Sequence, residues 1–142
     1  MNRAVALLLL VLLTACGSGS SAPPRPSDAE NRQAVAAVIA ELERADSVQK
    51  VTGAYETSLV QFGSIGMTIT VADGTPAPAQ EALLDRAEEL VWRSAADPIN
   101  GLGLLVVEPS TPGTAPGRQR LYQGRDEVGR LAERYGPRPS PR

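Results

Sequence analysis

Residues 65–71 read IGMTITV, so Ile65, Met67, Ile69 and Val71 fall on one side of an extended chain, with Gly66, Thr68 and Thr70 on the other. A strict period of two describes a strand with one buried and one wetter face, the antiparallel habit. A lone strand cannot bury that face, so the fold must supply a covering layer. The covering helices are legible nearby. Ser27-Asp28-Ala29-Glu30 has capping-box spacing, in which a serine and a glutamate satisfy each other's free backbone N–H groups. Val35, Val38, Ile39 and Leu42 then recur at helical spacing among Ala36, Ala37 and Ala40. This predicts a helix over 28–47 with Glu41, Glu43 and Arg44 on its polar side.

The remaining elements follow from the same two periods. Residues 54–62 (AYETSLVQF) predict a strand, joined to 65–71 by a short turn at Phe62-Gly63-Ser64. Asp73-Gly74-Thr75-Pro76 ends the second strand. A helix over 78–95 opens on Pro78 and carries Leu83, Leu84, Ala87, Leu90 and Val91 as its apolar stripe. Asp97-Pro98 stops it. The run 102–107 (LGLLVV) predicts a central strand, and 118–123 (RQRLYQ) an edge strand beyond the surface loop 109–117. A third helix over 126–135 places Val128, Leu131, Ala132 and Tyr135 on one side, and Gly136-Pro137 ends it. The order is α-β-β-α-β-β-α. The step around the second helix predicts a right-handed crossover between parallel strands. The expected architecture is α+β: a two-layer sandwich with a four-stranded mixed sheet and helices mainly on one face, over residues 28–136, with 137–142 a disordered tail.

The chain begins differently. Arg3 precedes ten apolar residues, Ala4 to Leu13. A membrane-spanning helix needs roughly 20, so the run has the length of an export signal instead. It ends Leu13-Thr14-Ala15-Cys16-Gly17. That order resembles the bacterial lipobox. The resemblance implies cleavage between Ala15 and Cys16, a diacylglyceryl group on the Cys16 sulfur, and a new N-terminus that can itself be acylated. Residues 1–15 would then be a signal peptide and 16–27 a lipidated tether. Two acyl chains anchor stably where one does not, each buried CH₂ contributing about 0.8 kcal/mol. The plainer alternative is a secretory signal cut near Ala22, with the cysteine discarded. The tether sequence GSGSSAPPRPS mixes flexible Gly and Ser with stiffer Pro and reads as a solvated spacer. A second, looser resemblance covers Leu90-Val91-Trp92-Arg93-Ser94, Asp97-Pro98, Leu102–Val107 and Gly136-Pro137-Arg138. These stretches resemble small uncharacterised lipoproteins of actinobacteria, and 13 Arg to one Lys fits a GC-rich genome.

Catalytic chemistry has little to work with. With no His, neither a Ser–His nor a Cys–His pair can be built. One Cys and no His exclude a cysteine- or histidine-rich metal site. Ser58, Ser64, Ser94 and Lys50 stand in no recognised nucleophile setting. Gly101-x-Gly103 lacks the rest of a dinucleotide or phosphate loop, so no cofactor is expected. Glu81, Asp85, Glu88 and Glu89 share the second helix with Arg93. Such carboxylates can serve acid–base work or hold Ca²⁺. The plainer reading is a solvated face with Glu89–Arg93 as an ordinary one-turn pair. Trp92, at the margin of the apolar stripe, reads as a core-edge residue rather than a ligand platform, and Tyr55, Phe62, Tyr122 and Tyr135 read likewise.

Charge is unevenly spread. From residue 117 onward seven Arg (118, 120, 125, 130, 134, 138 and 142) face three acidic residues, giving +4, whereas 28–97 sums to −7. Arg118, Arg120, Arg125, Arg130 and Arg134 are therefore candidates for an anion-facing end meeting phospholipid head groups, a cell-wall polymer or an acidic partner. The plainer reading pairs Asp126 and Glu127 with Arg130 and leaves the rest in solvent. The overall charge of −2 gives no reason to expect nucleic acid.

The sequence thus predicts a lipid-anchored protein at the extracytoplasmic face of a cell membrane, not an enzyme. It would act as a binding or structural module of the envelope, presenting the sheet face that carries Thr68 and Thr70. Its expected partners are the bilayer, through Cys16, and an envelope protein or anionic polymer. Two alternatives stand beside this: a small-molecule-binding lipoprotein with a pocket between helices and sheet, and a hydrolase using carboxylates alone.

Overall fold

The computed structural model describes residues 24–58, 62–109 and 117–139. The expected signal peptide, Cys16 and the tether up to residue 23 lie outside the described residues. In chain order the elements are α1 (Asp28–Leu42), β1 (Val48–Glu56), β2 (Ser64–Val71), α2 (Ala77–Arg93), β3 (Gly101–Val107), β4 (Arg118–Gln123), α3 (Arg125–Gly129) and α4 (Leu131–Tyr135). The four strands form one sheet in the order β1-β2-β3-β4. β1 and β2 are antiparallel, β2 and β3 parallel, and β3 and β4 antiparallel. This is the mixed α+β sheet that the hydrophobic periods predict.

The register places the apolar residues in rows across one side of the sheet. Ile65 pairs with Leu102, Met67 with Leu104 and Ile69 with Val106, and all six are buried. β1 adds Val51 beside Ile69 and Tyr55 beside Ile65. α1 contributes Val35, Val38 and Leu42, and α2 contributes Leu83, Leu84, Ala87 and Val91 to the same cluster. All helices therefore cover one face and share one core. Ile69 has no solvent exposure, and burial of a side chain of that size stabilises by about 1.5–3 kcal/mol.

The ends of the elements show local chemistry overriding pattern. The capping box forms as expected: the Ser27 Oγ accepts from the Glu30 backbone N–H at 3.3 Å, and the Glu30 carboxylate accepts from the Ser27 backbone N–H at 2.7 Å. α1 stops at Leu42 rather than near 47. Glu43 caps it, and the Glu43 carboxylate accepts from the Val51 backbone N–H at 3.1 Å, tying the helix end to β1. The predicted first strand, 54–62, is displaced to Val48–Glu56. Its register against β2 runs from Glu56–Ser64 to Val48–Val71, so the partner strand sets its length. Only Val51 and Tyr55 of β1 are buried, which leaves the strand little apolar signal. The connection to β2 includes Gly63 at φ +75°, where a Cβ would come within 2.8 Å of the Pro98 carbonyl oxygen. The predicted third helix is divided. Arg130 donates its N–H to the Glu127 carbonyl in a one-turn bend, and α3 and α4 lie on either side.

The segment between α2 and β3 is stitched to the sheet and to α1. Buried Asn31 accepts from the Asp97 N–H at 2.8 Å and donates to the Asp97 carbonyl at 3.0 Å. The Tyr55 hydroxyl donates to the Pro98 carbonyl at 2.9 Å, and the Asn100 N–H to the Gly63 carbonyl at 2.7 Å. The start of α1, the β1–β2 connection and this segment therefore meet at one end of the sheet.

Ile69→Ala removes the centre of the core. It is expected to lower the stability of the fold by about 2–5 kcal/mol, read from the urea midpoint at an unchanged slope. A shift under about 1 kcal/mol would place Ile69 outside the core.

Candidate functional site

Two features of the fold bear on function: a polar network beneath the helices and the uncovered face of the sheet. The network begins with alternation in β4. Arg118, Arg120 and Tyr122 pair with Val106, Leu104 and Leu102, so all three point to the helix side. There they meet Glu81, Asp85 and Glu88, which repeat along one side of α2. Glu88 is completely buried. Its carboxylate accepts from the hydroxyl of Tyr122 at 2.6 Å and of Tyr135 at 3.0 Å. It also pairs with Arg120 at 2.9 Å and Arg134 at 3.0 Å. Asp85 holds the same two arginines at 2.6 and 2.7 Å. Glu81 holds Arg120 at 2.8 Å and also pairs with Arg118.

The expectation of a solvated carboxylate face on the second helix is corrected here for Glu88, while Asp85 and Glu81 stay open to solvent and are ion-paired. Helical periodicity places them together, but the arginines that satisfy them come from β4 and α4, 32 to 49 residues away in sequence. Only Glu89–Arg93, at 2.8 Å, is the one-turn surface pair expected. The anion-facing reading is corrected for three of the five arginines. Arg118, Arg120 and Arg134 spend their charge on α2. Arg125 contacts the Asn100 side chain at 3.4 Å, and Arg130 has no ion pair among the described residues. The expected pairing of Arg130 with Asp126 or Glu127 is absent among the described residues; the Glu127 carboxylate instead accepts from the Gln123 N–H at 2.6 Å.

Ionisation in the network follows its geometry. Hydrogen bonds from Arg120 and Arg118 hold the Glu81 carboxyl below its usual range. Burial pushes the Asp85 carboxyl upward, but Arg120 and Arg134 outweigh it and leave it lowered. Burial, then the Glu88 carboxylate, pushes the Tyr122 phenol up to about 12 and raises Tyr135 as well. Burial disfavours the Arg120 charge, yet its bonds to three carboxylates raise its pKa overall. General acid catalysis needs a carboxyl raised towards the working pH. Glu81 and Asp85 move the other way, and Glu88 has no path to solvent. The arrangement is suited to joining α2, β4 and α4.

Trp92 is nearly buried, and its indole N–H donates to the Gly136 carbonyl at 2.8 Å. Arg138 lies over the indole ring at 5.6 Å and bonds to the carbonyls of Trp92, Ser94 and Ala96 and to the Asp97 carboxylate. The tail expected to be disordered from 137 is thus docked through Arg138. A surface depression of about 330 Å³ lies beside Trp92, between Asp97, Ile99 and Val128. No buried side-chain polar atom lacks a hydrogen bond among the described residues. No group of three or more metal-ligating side chains occurs among them either.

The face left uncovered among the described residues carries the other residue of every alternation. Its rows read Lys50, Thr70, Val107; then Thr52, Thr68, Leu105, Gln119; then Ala54, Gly66, Gly103, Leu121; then Glu56, Ser64, Gly101, Gln123. Leu121 is 62% exposed, the most exposed large apolar side chain among the described residues. An open depression of about 430 Å³ crosses the two middle rows. Among the described residues no helix is long and apolar enough to cross a membrane. Compared with known proteins, the chain matches no family model, no curated protein and no solved structure.

Glu88→Leu leaves two phenols and two guanidinium groups without their shared acceptor. It is expected to cost about 3 kcal/mol, whereas Glu89→Ala leaves the urea midpoint unchanged. Equal small effects from both would reduce the network to surface pairing. All three tyrosines, Tyr55 included, titrate above their ordinary value of 10.0 in the fold. Their contribution to stability is complete below the unfolded pKa and fades as pH rises through the folded one. Absorbance titration is expected to show less than half of the phenols ionised at about pH 10 in the native protein, and half or more once unfolded. Half ionisation at that pH in the native state would contradict the buried geometry.

Proposed function

We propose that the chain is an exported lipoprotein held to the extracytoplasmic face of a membrane through acyl chains on Cys16. Its α+β domain is a non-enzymatic module that binds a protein partner with the open face of the sheet. The observation that carries the binding role is the one-sided covering of the sheet. Every described helix packs on the side of Ile65, Met67 and Ile69, while Leu105, Val107 and Leu121 stand on the side that nothing covers among the described residues. A sheet can leave one face to water, but aliphatic side chains grouped on that face mark a docking surface. The lipobox order of Leu13-Thr14-Ala15-Cys16 supports the anchor.

The rival readings fit the geometry less well. A ligand pocket between helices and sheet needs an enclosed space, and that space is filled by one continuous apolar cluster. A carboxylate hydrolase needs acids free to exchange protons, and the clustered acids are bound by arginine.

In cell fractionation, Cys16→Ala is expected to move the protein from the membrane to the soluble fraction and to abolish acyl labelling. Retention of both would overturn the anchor. A photo-crosslinking residue at position 105 is expected to capture a protein, whereas one at exposed Arg86 on the helix side gives none. Equal capture at both positions would overturn the binding face.

A further inference from the structure

The pattern of large and small side chains on the open face identifies what covers it. On β2 the face reads Ser64, Gly66, Thr68, Thr70, and on β3 it reads Gly101, Gly103, Leu105, Val107. Both strands are small in their first half and large in their second. Because the two strands are parallel, the small halves lie side by side and so do the large halves. On these two central strands the face is therefore a step, low at the glycines and high at Leu105 and Val107, with Leu121 of β4 rising at the edge of the Gly103 row. A Cβ added to Gly66 would meet nothing within 4 Å, whereas one at Gly103 would touch the Leu121 side chain at 3.6 Å and one at Gly101 would meet the Ser64 Oγ at 2.8 Å, so the open space lies over Gly66.

A step of this kind is its own complement. A two-fold axis that lies across the strands, between the rows of Thr52 and Ala54, reverses strand direction in the second copy. Leu105 then sits over Gly103 of the other copy, Val107 over Gly101 and Thr68 over Gly66. The charges agree with the shape. Lys50 and Glu56 stand at opposite ends of the β1 face, and neither is ion-paired among the described residues. The same axis brings each Lys50 to the Glu56 of its partner. An axis parallel to the strands fails on both counts: it stacks glycine on glycine and Leu105 on Thr68. Sheets pack face to face about 10 Å apart with strands within about 30° of each other, which interdigitated side chains of these sizes fill.

We propose that the partner of the open face is a second copy of this chain, in an isologous dimer closed by Leu105, Val107 and Thr68 over the glycine rows and by reciprocal Lys50–Glu56 pairs. This rests on the reading of the open face as the binding surface. Four strands about 4.8 Å apart and seven residues of about 3.3 Å each give roughly 440 Å² of flat area per copy. Two copies then bury roughly 900 Å², at the low end of specific interfaces. Such a dimer is weak in free solution and gains from confinement to one membrane, where tethering raises the effective concentration. With the axis along the membrane normal, both copies would leave their tethers at equal height.

The test uses the full-length chain in its own membranes, with a photo-crosslinking residue at position 105. The expected product is a covalent homodimer at twice the monomer mass. Lys50→Glu is expected to lower its yield about tenfold, Glu56→Lys likewise, and the double exchange to restore it. Lys50 and Glu56 have exposed side chains on an edge strand, and unchanged circular dichroism and melting confirm that each variant folds. Homodimer yield that ignores the charge exchange overturns the two-fold arrangement. Crosslinks only to a different protein overturn the second copy as partner but leave the binding face intact. Crosslinks to nothing overturn both.

Discussion

Glu88 holds a charge where water cannot reach it, and the C-terminal third of the domain is organised around that fact. A buried carboxylate without partners is strongly unfavourable. Here two phenols and two guanidinium groups, drawn from β4 and α4, supply what water would have given. Neither contributing element is robust alone. β4 is a six-residue edge strand with three charged or amide side chains in its first three positions, and α4 is a single five-residue helix. Each becomes fixed because it carries a donor that α2 requires. The network lies on the helix side of the sheet, so it also holds Arg118 and Arg120 there and keeps guanidinium charge off the open face.

That separation gives the two sides of the sheet different chemistry. The covered side combines one apolar core with one saturated polar cluster. The open side is nearly neutral, with hydroxyl, amide and aliphatic groups and a single charge at each end of β1. Its relief comes from four small residues grouped at one end. Parallel pairing of β2 with β3 does the grouping, since antiparallel pairing would have set the small half of one strand beside the large half of the other. The crossover through α2 thus both covers one face and shapes the other.

Much of this was legible in the residues. The period of two in 65–71, the apolar run 102–107, the capping box at Ser27 and the stripe of α2 each rest on neighbours in sequence, and each appears where expected. β1 was misplaced because Gly53 interrupts its buried face and only Val51 and Tyr55 signal burial, while the β-rich stretch after Ala54 drew the boundary forward. Helix 126–135 was read as one because apolar spacing does not register the bend at Arg130. The burial of Glu88 is not legible, because the spacing of the α2 carboxylates resembles that of any polar helix face. Their partners lie in β4 and α4, and no local pattern reports them.

The sequence alone determined the class of elements, their order and the side of each strand that must be buried, because these depend on dihedral preference and hydrophobic period over a few residues. It also supplies the N-terminal motif on which the proposed anchor rests. Tertiary structure alone decided which charges meet, that the tail docks on Trp92, and that Gly66 lies beside Gly103. Those outcomes depend on strand register and on contacts between distant segments, which the chain acquires only when it closes on itself.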